Sequence, residues 1–164
     1  MRRAFACAAV VALTMAAPAA AGLPRAGALV AGSSLGGVRL GEPAARVRAA
    51  LGGFYGVCRG CAMPTWYFTY RAFEQHGLGV ELTGGRVSAV YTLWQPAGWH
   101  GPKGLVLGDT EQTVDARLGP LLPVTCSGYA ALVEDRAGVR TAYYVRSGRL
   151  WGFGLLRAKA SPCR

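Results

Sequence analysis

One pattern of residues occurs twice in this chain, first at positions 37–52 and again at 104–119. The two segments align without a gap, and seven positions are identical between them: Gly37/Gly104, Leu40/Leu107, Gly41/Gly108, Val47/Val114, Ala49/Ala116, Leu51/Leu118 and Gly52/Gly119. A shorter match follows each copy, between 84–87 and 147–150. Two landmarks in the same order predict two copies of one structural unit, and such copies usually form a binding surface between them.

Each copy opens with the pattern of a short amphipathic helix. Glu42 in the first copy and residues 109–111 in the second place acidic and hydroxyl groups where they can cap the free N–H groups of a helix start. Apolar residues such as Val47 and Leu51 follow at helical spacing, and a glycine ends each segment. The sequence therefore predicts two helices of about ten residues each.

Strand patterns follow each helix. In the first copy, 65–71 is rich in strand-forming residues, and 78–83 with 86–94 forms a hairpin pattern around Gly84-Gly85. In the second copy, strands are predicted at 129–134, 139–145 and 149–157. The predicted fold class is therefore α+β, with two tandem repeats that each consist of a short helix followed by an antiparallel β-meander.

The same patterns predict the organisation of the whole chain. The segments are a signal peptide at 1–21, a lead-in at 22–35 that is either a strand or a flexible arm, repeat one at 36–95, a Gly- and Pro-rich linker at 96–103, and repeat two at 104–164.

The first residues have the three parts of a secretory signal peptide. Met1-Arg2-Arg3 is basic, 4–16 is apolar, and 17–21 is a cleavage zone of small residues. This apolar stretch is too short and too rich in alanine for a membrane span, and no later run approaches the length of one. We therefore expect cleavage near Ala21 and a secreted, periplasmic or cell-envelope protein without a membrane span.

Cleavage there would leave four cysteines: Cys58, Cys61, Cys126 and Cys163. An even number in an exported chain predicts disulfides, and four cysteines allow three pairings. We favour Cys58–Cys61 and Cys126–Cys163. The first pair also matches a redox Cys-x-x-Cys motif, but reactive pairs lie at a helix N-terminus, whereas Pro64 and a strand pattern follow here. A thiol–disulfide protein of the cell envelope that uses Cys58 and Cys61 is therefore an alternative function.

The chain is strongly basic, which favours anionic partners. Its net charge of +10 falls to +8 without Arg2 and Arg3. An anionic cell-wall polymer is one possible partner, and a charge-anchored cell-wall protein is a further alternative. The arginines are scattered along the chain rather than clustered as a nucleic-acid surface requires, so nucleic acid is not an expected partner.

Motifs for catalysis or metal binding are weak. Residues 32–36 match the Gly-x-Ser-x-Gly pattern of hydrolases, but that elbow needs a following Asp and then His, and both His76 and His100 precede every Asp of the chain. Neither histidine has a partner at metal-ligand spacing. We therefore predict no catalytic residues, no metal site and no cofactor.

The doubled pattern Gly-x-x-Leu-Gly-[Asp/Glu]-x-x-x-x-Val-x-x-x-Leu-Gly, followed by strands in an exported chain, resembles the tandem-repeat fold of the β-lactamase inhibitor protein family. It is also similar to small lipoprotein modules of the outer-membrane assembly machinery. The resemblance covers about residues 36–157. It implies a curved sheet whose concave, aromatic face grips a protein.

The aromatic residues are the best candidates for such a surface. Rings fall on both faces of several predicted strands, and short helices cover only one face, so some rings should be exposed. Exposed Trp, Tyr and Arg side chains are typical of protein-binding hot spots. The predicted binding residues are Trp66, Tyr67, Arg71, Tyr91, Trp94 and Trp99. The sequence thus predicts an exported, non-enzymatic protein that binds an unidentified protein partner.

Overall fold

The computed structural model describes residues 23–164. The predicted signal peptide lies outside the described residues. Within 23–164, no helix is long and apolar enough to cross a membrane.

The described residues form eleven strands and two α-helices. The strands are β1 (Gly27–Val30), β2 (Ser34–Leu35), β3 (Gly56–Cys58), β4 (Thr65–Thr69), β5 (Gly77–Thr83), β6 (Arg86–Leu93), β7 (Trp99–His100), β8 (Leu122–Cys126), β9 (Tyr129–Arg136), β10 (Val139–Arg146) and β11 (Arg149–Arg157). The helices are α1 (Ala44–Leu51) and α2 (Glu111–Leu118), and a single 3₁₀ turn lies at Pro102–Gly104.

Eight strands form one continuous antiparallel sheet in the order β3-β4-β5-β6-β11-β10-β9-β8. Neighbouring strands in each half are also neighbours in sequence. The two halves join where β6 pairs with β11, with Tyr91 opposite Gly154, Val90 opposite Leu155 and Ala89 opposite Leu156. A strand edge presents unpaired N–H and C=O groups, and this pairing gives partners to some of those groups in both halves.

The predicted α+β fold class is wrong. Residues 23–164 are mostly β, with 46% of them in strands and 13% in helices. One eight-stranded antiparallel sheet with two short helices replaces the expected arrangement of two repeats that each consist of a helix and a β-meander. The physical reason is that each helix is only eight residues long and buries little surface: Val47 and Leu51 are the buried residues of α1, and Val114 is that of α2.

A second, three-stranded sheet is built from segments with no strand pattern in the sequence. Its order is β2-β1-β7, with β1 antiparallel to β2 and parallel to β7. Strands β1 and β2 lie in the predicted lead-in at 22–35, and β7 lies in the predicted linker at 96–103. Trp99 in β7 is only 1% exposed, so this small sheet contributes a large side chain to the core.

The two doubled segments make matching contacts with their hairpins. The Gly41 N–H donates to the Val87 carbonyl at 2.8 Å, and the Gly108 N–H donates to the Leu150 carbonyl at 2.7 Å. Both glycines have positive φ, 81° and 99°, a backbone region that glycine enters with little steric cost. In each half, this bond fixes the start of the helix against the turn of a hairpin.

The large sheet has two apolar faces that differ in what covers them. The main core lies on one face and includes residues of both helices and of the small sheet. A separate cluster lies on the other face, with members from β6, β9, β10 and β11: Ala89, Tyr91, Ala131, Val133, Ala142, Tyr144 and Leu156. No residue of either helix belongs to this second cluster.

Candidate functional site

The second face of the large sheet contains an aromatic cleft with a volume of about 340 Å³. Such a volume is at the lower end of the range for ligand pockets, about 300–1,000 Å³. The cleft is lined by Tyr67, Tyr91, Thr92, Leu93, Trp94, Ser127, Gly128, Tyr129, Tyr144, Arg146, Trp151 and Arg164.

The cleft extends over several strands of the large sheet. Tyr67 lies in β4 and Tyr129 begins β9, five strands further along the sheet. Arg164 links this width: its guanidinium contacts Glu81 of β5 at 2.9 Å, and its backbone N–H donates to the Tyr129 hydroxyl at 2.6 Å. Arg164 therefore joins side chains from both halves of the sheet at the cleft.

Two tyrosine rings form the floor of the cleft above glycines. A Cβ added at Gly79 would lie 2.5 Å from Cζ of Tyr91, and one added at Gly154 would lie 2.4 Å from the Tyr144 hydroxyl. No other residue type allows these rings to lie so close to the backbone. The glycines thus set both the depth of the cleft and the positions of the two rings.

A group of tilted and edge-on rings forms one wall. Trp151 lies 5.5 Å from Tyr129, 5.9 Å from Tyr144 and 6.5 Å from Trp94, measured between ring centroids. Trp94 is 51% exposed. Its φ is 48° and that of Gln95 is 49°, so two consecutive non-glycine residues adopt the left-handed conformation. Backbone strain of this kind is concentrated at functional sites.

Two buried polar atoms near the cleft have no hydrogen-bond partner among residues 23–164: the Tyr144 hydroxyl and Nε1 of Trp151. Burial raises the pKa of the Tyr144 hydroxyl above its ordinary value of 10.0, although nearby Arg164 opposes this shift. Burial, together with Tyr67 and Glu81, likewise raises the pKa of Tyr91. Both tyrosines are therefore neutral at physiological pH.

The cations of the cleft differ in their partners. Arg164 pairs with Glu81, and both side chains are mostly buried. The Arg164 guanidinium also lies 5.6 Å from the centroid of the Tyr91 ring. The guanidinium of Arg146 lies 5.9 Å from the Trp94 ring centroid. Arg146 belongs to none of the ion pairs formed by residues 23–164.

Both predicted disulfides are formed, which confirms the prediction from the cysteine count. Cys61 Sγ lies 3.6 Å from the hydroxyl of Tyr67, a cleft residue, and Cys126–Cys163 ties the segment that carries Arg164 to β8. The two bonds therefore flank the cleft on opposite sides. Cys58 ends β3 and Cys61 lies in the loop before β4, so neither cysteine is at a helix N-terminus.

The structure brings three of the six predicted binding residues together. Tyr67, Tyr91 and Trp94 line the cleft. Trp66 lies on the opposite face of the sheet, where its ring stacks on Tyr55 at 4.3 Å and packs against the main core.

The other two predicted binding residues lie elsewhere. Trp99 is buried in the core, and its Nε1–H donates to the Tyr70 hydroxyl at 2.8 Å. Arg71 is exposed in the turn after β4 and does not line the cleft. Binding by the six residues stays a prediction, and the cleft adds residues that the prediction did not include: Tyr129, Tyr144, Arg146, Trp151 and Arg164.

Other groups of titratable side chains are small. His76 faces Glu74 at 3.5 Å on the surface. Among residues 23–164, no cluster of three or more His, Cys, Asp or Glu side chains has an arrangement suited to a metal ion.

Comparison of the chain with protein-family models and with curated proteins finds no match. Among solved structures, it is similar to a DUF4309 family protein (YjgB) from Bacillus subtilis, with a TM-score of 0.51 and 16% identity over 71% of this chain and 78% of that one. It also matches an extracellular protein containing an SCP domain from Bacillus anthracis, with a TM-score of 0.48 and 9% identity over 73% of this chain and 44% of that one. At such low identity, the first match indicates a shared fold alone.

Proposed function

We propose that this chain is an exported, non-enzymatic protein that binds a protein partner in the aromatic cleft. Export is supported by the signal-peptide pattern at 1–21 and by the two disulfides, since disulfides persist in oxidising compartments outside the cytosol. The binding role is supported by the cleft.

The observation that carries the proposal is the composition of the cleft. Six of its twelve lining residues are Tyr or Trp, and two more are Arg. These three residue types dominate the binding energy of protein interfaces. The rings lie on the sheet face whose apolar cluster contains no helix residue. A partner can therefore reach them without unfolding any helix.

The cleft is also preformed, which favours binding. The floor rings are fixed above Gly79 and Gly154, and a disulfide flanks the cleft on each side. A rigid site loses little conformational entropy when it binds, so more of the contact energy contributes to affinity.

A capture experiment tests the proposal. The protein, immobilised with its disulfides intact, is exposed to envelope extract and culture medium of the source cell. We expect a bound partner, and we expect Trp94→Ala and Tyr129→Ala to reduce its affinity at least about tenfold, as hot-spot residues do. Because of the sequence resemblance to β-lactamase inhibitor proteins, purified β-lactamase is included as one candidate partner.

Phe73→Ala provides the matched control. Phe73 is a fully exposed ring that does not line the cleft. This variant should capture the partner as well as the unmodified protein does. If Trp94→Ala and Tyr129→Ala remain folded and capture the same proteins as the Phe73→Ala control, the cleft is not the binding site and the proposal fails.

A further inference from the structure

Arg146 is the cation of the cleft whose donors are unused. It ends β10 and lines both the aromatic cleft and an adjoining hollow of about 450 Å³. Within residues 23–164 its side chain forms no ion pair and no hydrogen bond. Its guanidinium lies 5.9 Å from the centroid of the Trp94 ring, and Trp94 also lines both hollows.

The neighbouring basic side chains all have partners. Arg164 pairs with Glu81 at 2.9 Å, Arg149 donates to the Gly108 carbonyl at 3.0 Å, and His76 faces Glu74 at 3.5 Å. An arginine placed near an aromatic ring keeps the N–H donors at its edge free for a carboxylate, which it can bind with two parallel hydrogen bonds.

We infer that the partner presents an acidic segment to this face. The inference rests on the proposed function and names the chemistry of its ligand: an apolar or aromatic side chain enters the cleft, and a neighbouring Asp or Glu carboxylate binds Arg146. The net charge of +8 without Arg2 and Arg3 attracts such a segment over a longer distance.

The geometry favours a polypeptide over an anionic polymer. A polymer with a charge on every unit would be held by a row of free cations, as nucleic acids are. Among residues 23–164, the cleft has one guanidinium without an ion-pair partner beside a lining of six rings. The site therefore matches one negative charge next to an apolar group.

Selection from a phage-displayed library of random peptides tests the inference. The protein with its disulfides intact is the bait, and selection is repeated with Arg146→Gln and with Trp94→Ala. We expect the selected peptides to carry Asp or Glu beside an aromatic or large apolar residue. A synthetic selected peptide should lose about fivefold in affinity for Arg146→Gln, the size expected of an exposed charge pair. Replacing the acidic residue of the peptide by the corresponding amide should reduce its affinity for the unmodified protein by the same factor. The same replacement should not reduce its affinity for Arg146→Gln any further.

Arg157→Gln is the control, since it removes the same charge from an exposed position at the far end of β11, outside the cleft. Its affinity for the peptide should be unchanged. Selection of neutral or basic peptides whose binding requires Trp94 would contradict the inference of an acidic ligand, while the proposed function would still hold. Arg146-dependent binding of polyphosphate without Trp94-dependent peptides would instead identify a polymer site and overturn the inference. If no peptide and no captured protein depends on Trp94, both the inference and the proposed function fail.

Discussion

Thr92 holds together the two halves of the large sheet, and its replacement tests how that joint is stabilised. The backbone pairing of β6 with β11 covers only three residue pairs. Thr92 follows the last of these pairs, and its hydroxyl oxygen accepts a hydrogen bond from the Phe153 N–H at 2.8 Å. The same hydroxyl lies 3.4 Å from the Phe153 carbonyl as a weaker donor. Thr92 is only 2% exposed, so water cannot replace these bonds.

Thr92→Val keeps the shape of the side chain and removes the acceptor. The Phe153 N–H is then buried without a partner, which costs about 1–3 kcal/mol. Thr92→Ser keeps the hydroxyl and removes one methyl group, which costs about 0.8 kcal/mol plus a small term for the cavity. We therefore expect Thr92→Val to be the less stable variant, by about 1 kcal/mol at the middle of the range.

Urea unfolding followed by tryptophan fluorescence measures both variants against the unmodified protein with its disulfides intact. The unfolding midpoint should fall in the order unmodified, Thr92→Ser, Thr92→Val, with equal slopes in urea. If Thr92→Val is as stable as Thr92→Ser or more stable, the hydroxyl bond does not hold the joint. The β6–β11 junction would then depend on its three backbone pairs and on side-chain packing.

Three further predictions concern the cleft and its surroundings. Replacing Cys126 and Cys163 by serine should lower the free energy of unfolding by about 4 kcal/mol, and replacing Cys58 and Cys61 should lower it by about 2 kcal/mol, because the first bond closes a longer loop. Equal losses for the two variants in urea unfolding would contradict this. Burial raises the pKa of Tyr91, Tyr143 and Tyr144, so the folded protein keeps protons that the unfolded chain loses near pH 10. The contribution of these tyrosines to the free energy of unfolding should therefore be constant below that pH and decrease above it, and in an absorbance titration they should ionise only on unfolding. Gly154→Ala should displace Tyr144 and destabilise the fold by about 1–3 kcal/mol. Gly56→Ala is the control: its added Cβ meets no atom within 4 Å, so this variant should leave the near-ultraviolet circular dichroism of the cleft rings unchanged.

Local features of the fold could be predicted from the sequence because local residues determine them. The hairpin predicted at 78–83 and 86–94 is formed by β5 and β6 around Gly84-Gly85. Both helices end where the doubled segments place a glycine, at Gly52 and Gly119. Each of these features depends on turn chemistry or periodicity within a few residues.

The fold class could not be predicted in the same way, because contacts between distant segments decide it. The pairing of β6 with β11, which makes neither of them an edge strand, joins residues more than 60 positions apart in the sequence. No local sequence pattern indicates this pairing. The small sheet is a second example. Strand β1 pairs with β7, and this pairing buries Trp99 against Gly27, where an added Cβ would lie 2.4 Å from the ring. A ring expected on the surface is therefore part of the core.

The position of the cleft does have a signal in the sequence, but the signal becomes readable only with the strand register. Gly79 and Gly154 both lie opposite Tyr91, and Gly152 lies opposite Tyr144. A glycine beside a cross-strand tyrosine lets the ring lie over the bare backbone, so tyrosine and glycine come to share one face of the sheet. Alternation along each strand assigns Tyr67 and Trp66 to opposite faces without saying which face the helices cover. The glycine–tyrosine pairs indicate which face the helices leave uncovered, because the branched apolar residues that pack against the helices lie on the other face. The position of the aromatic cleft therefore depends on the glycines of the sheet as much as on its aromatic residues.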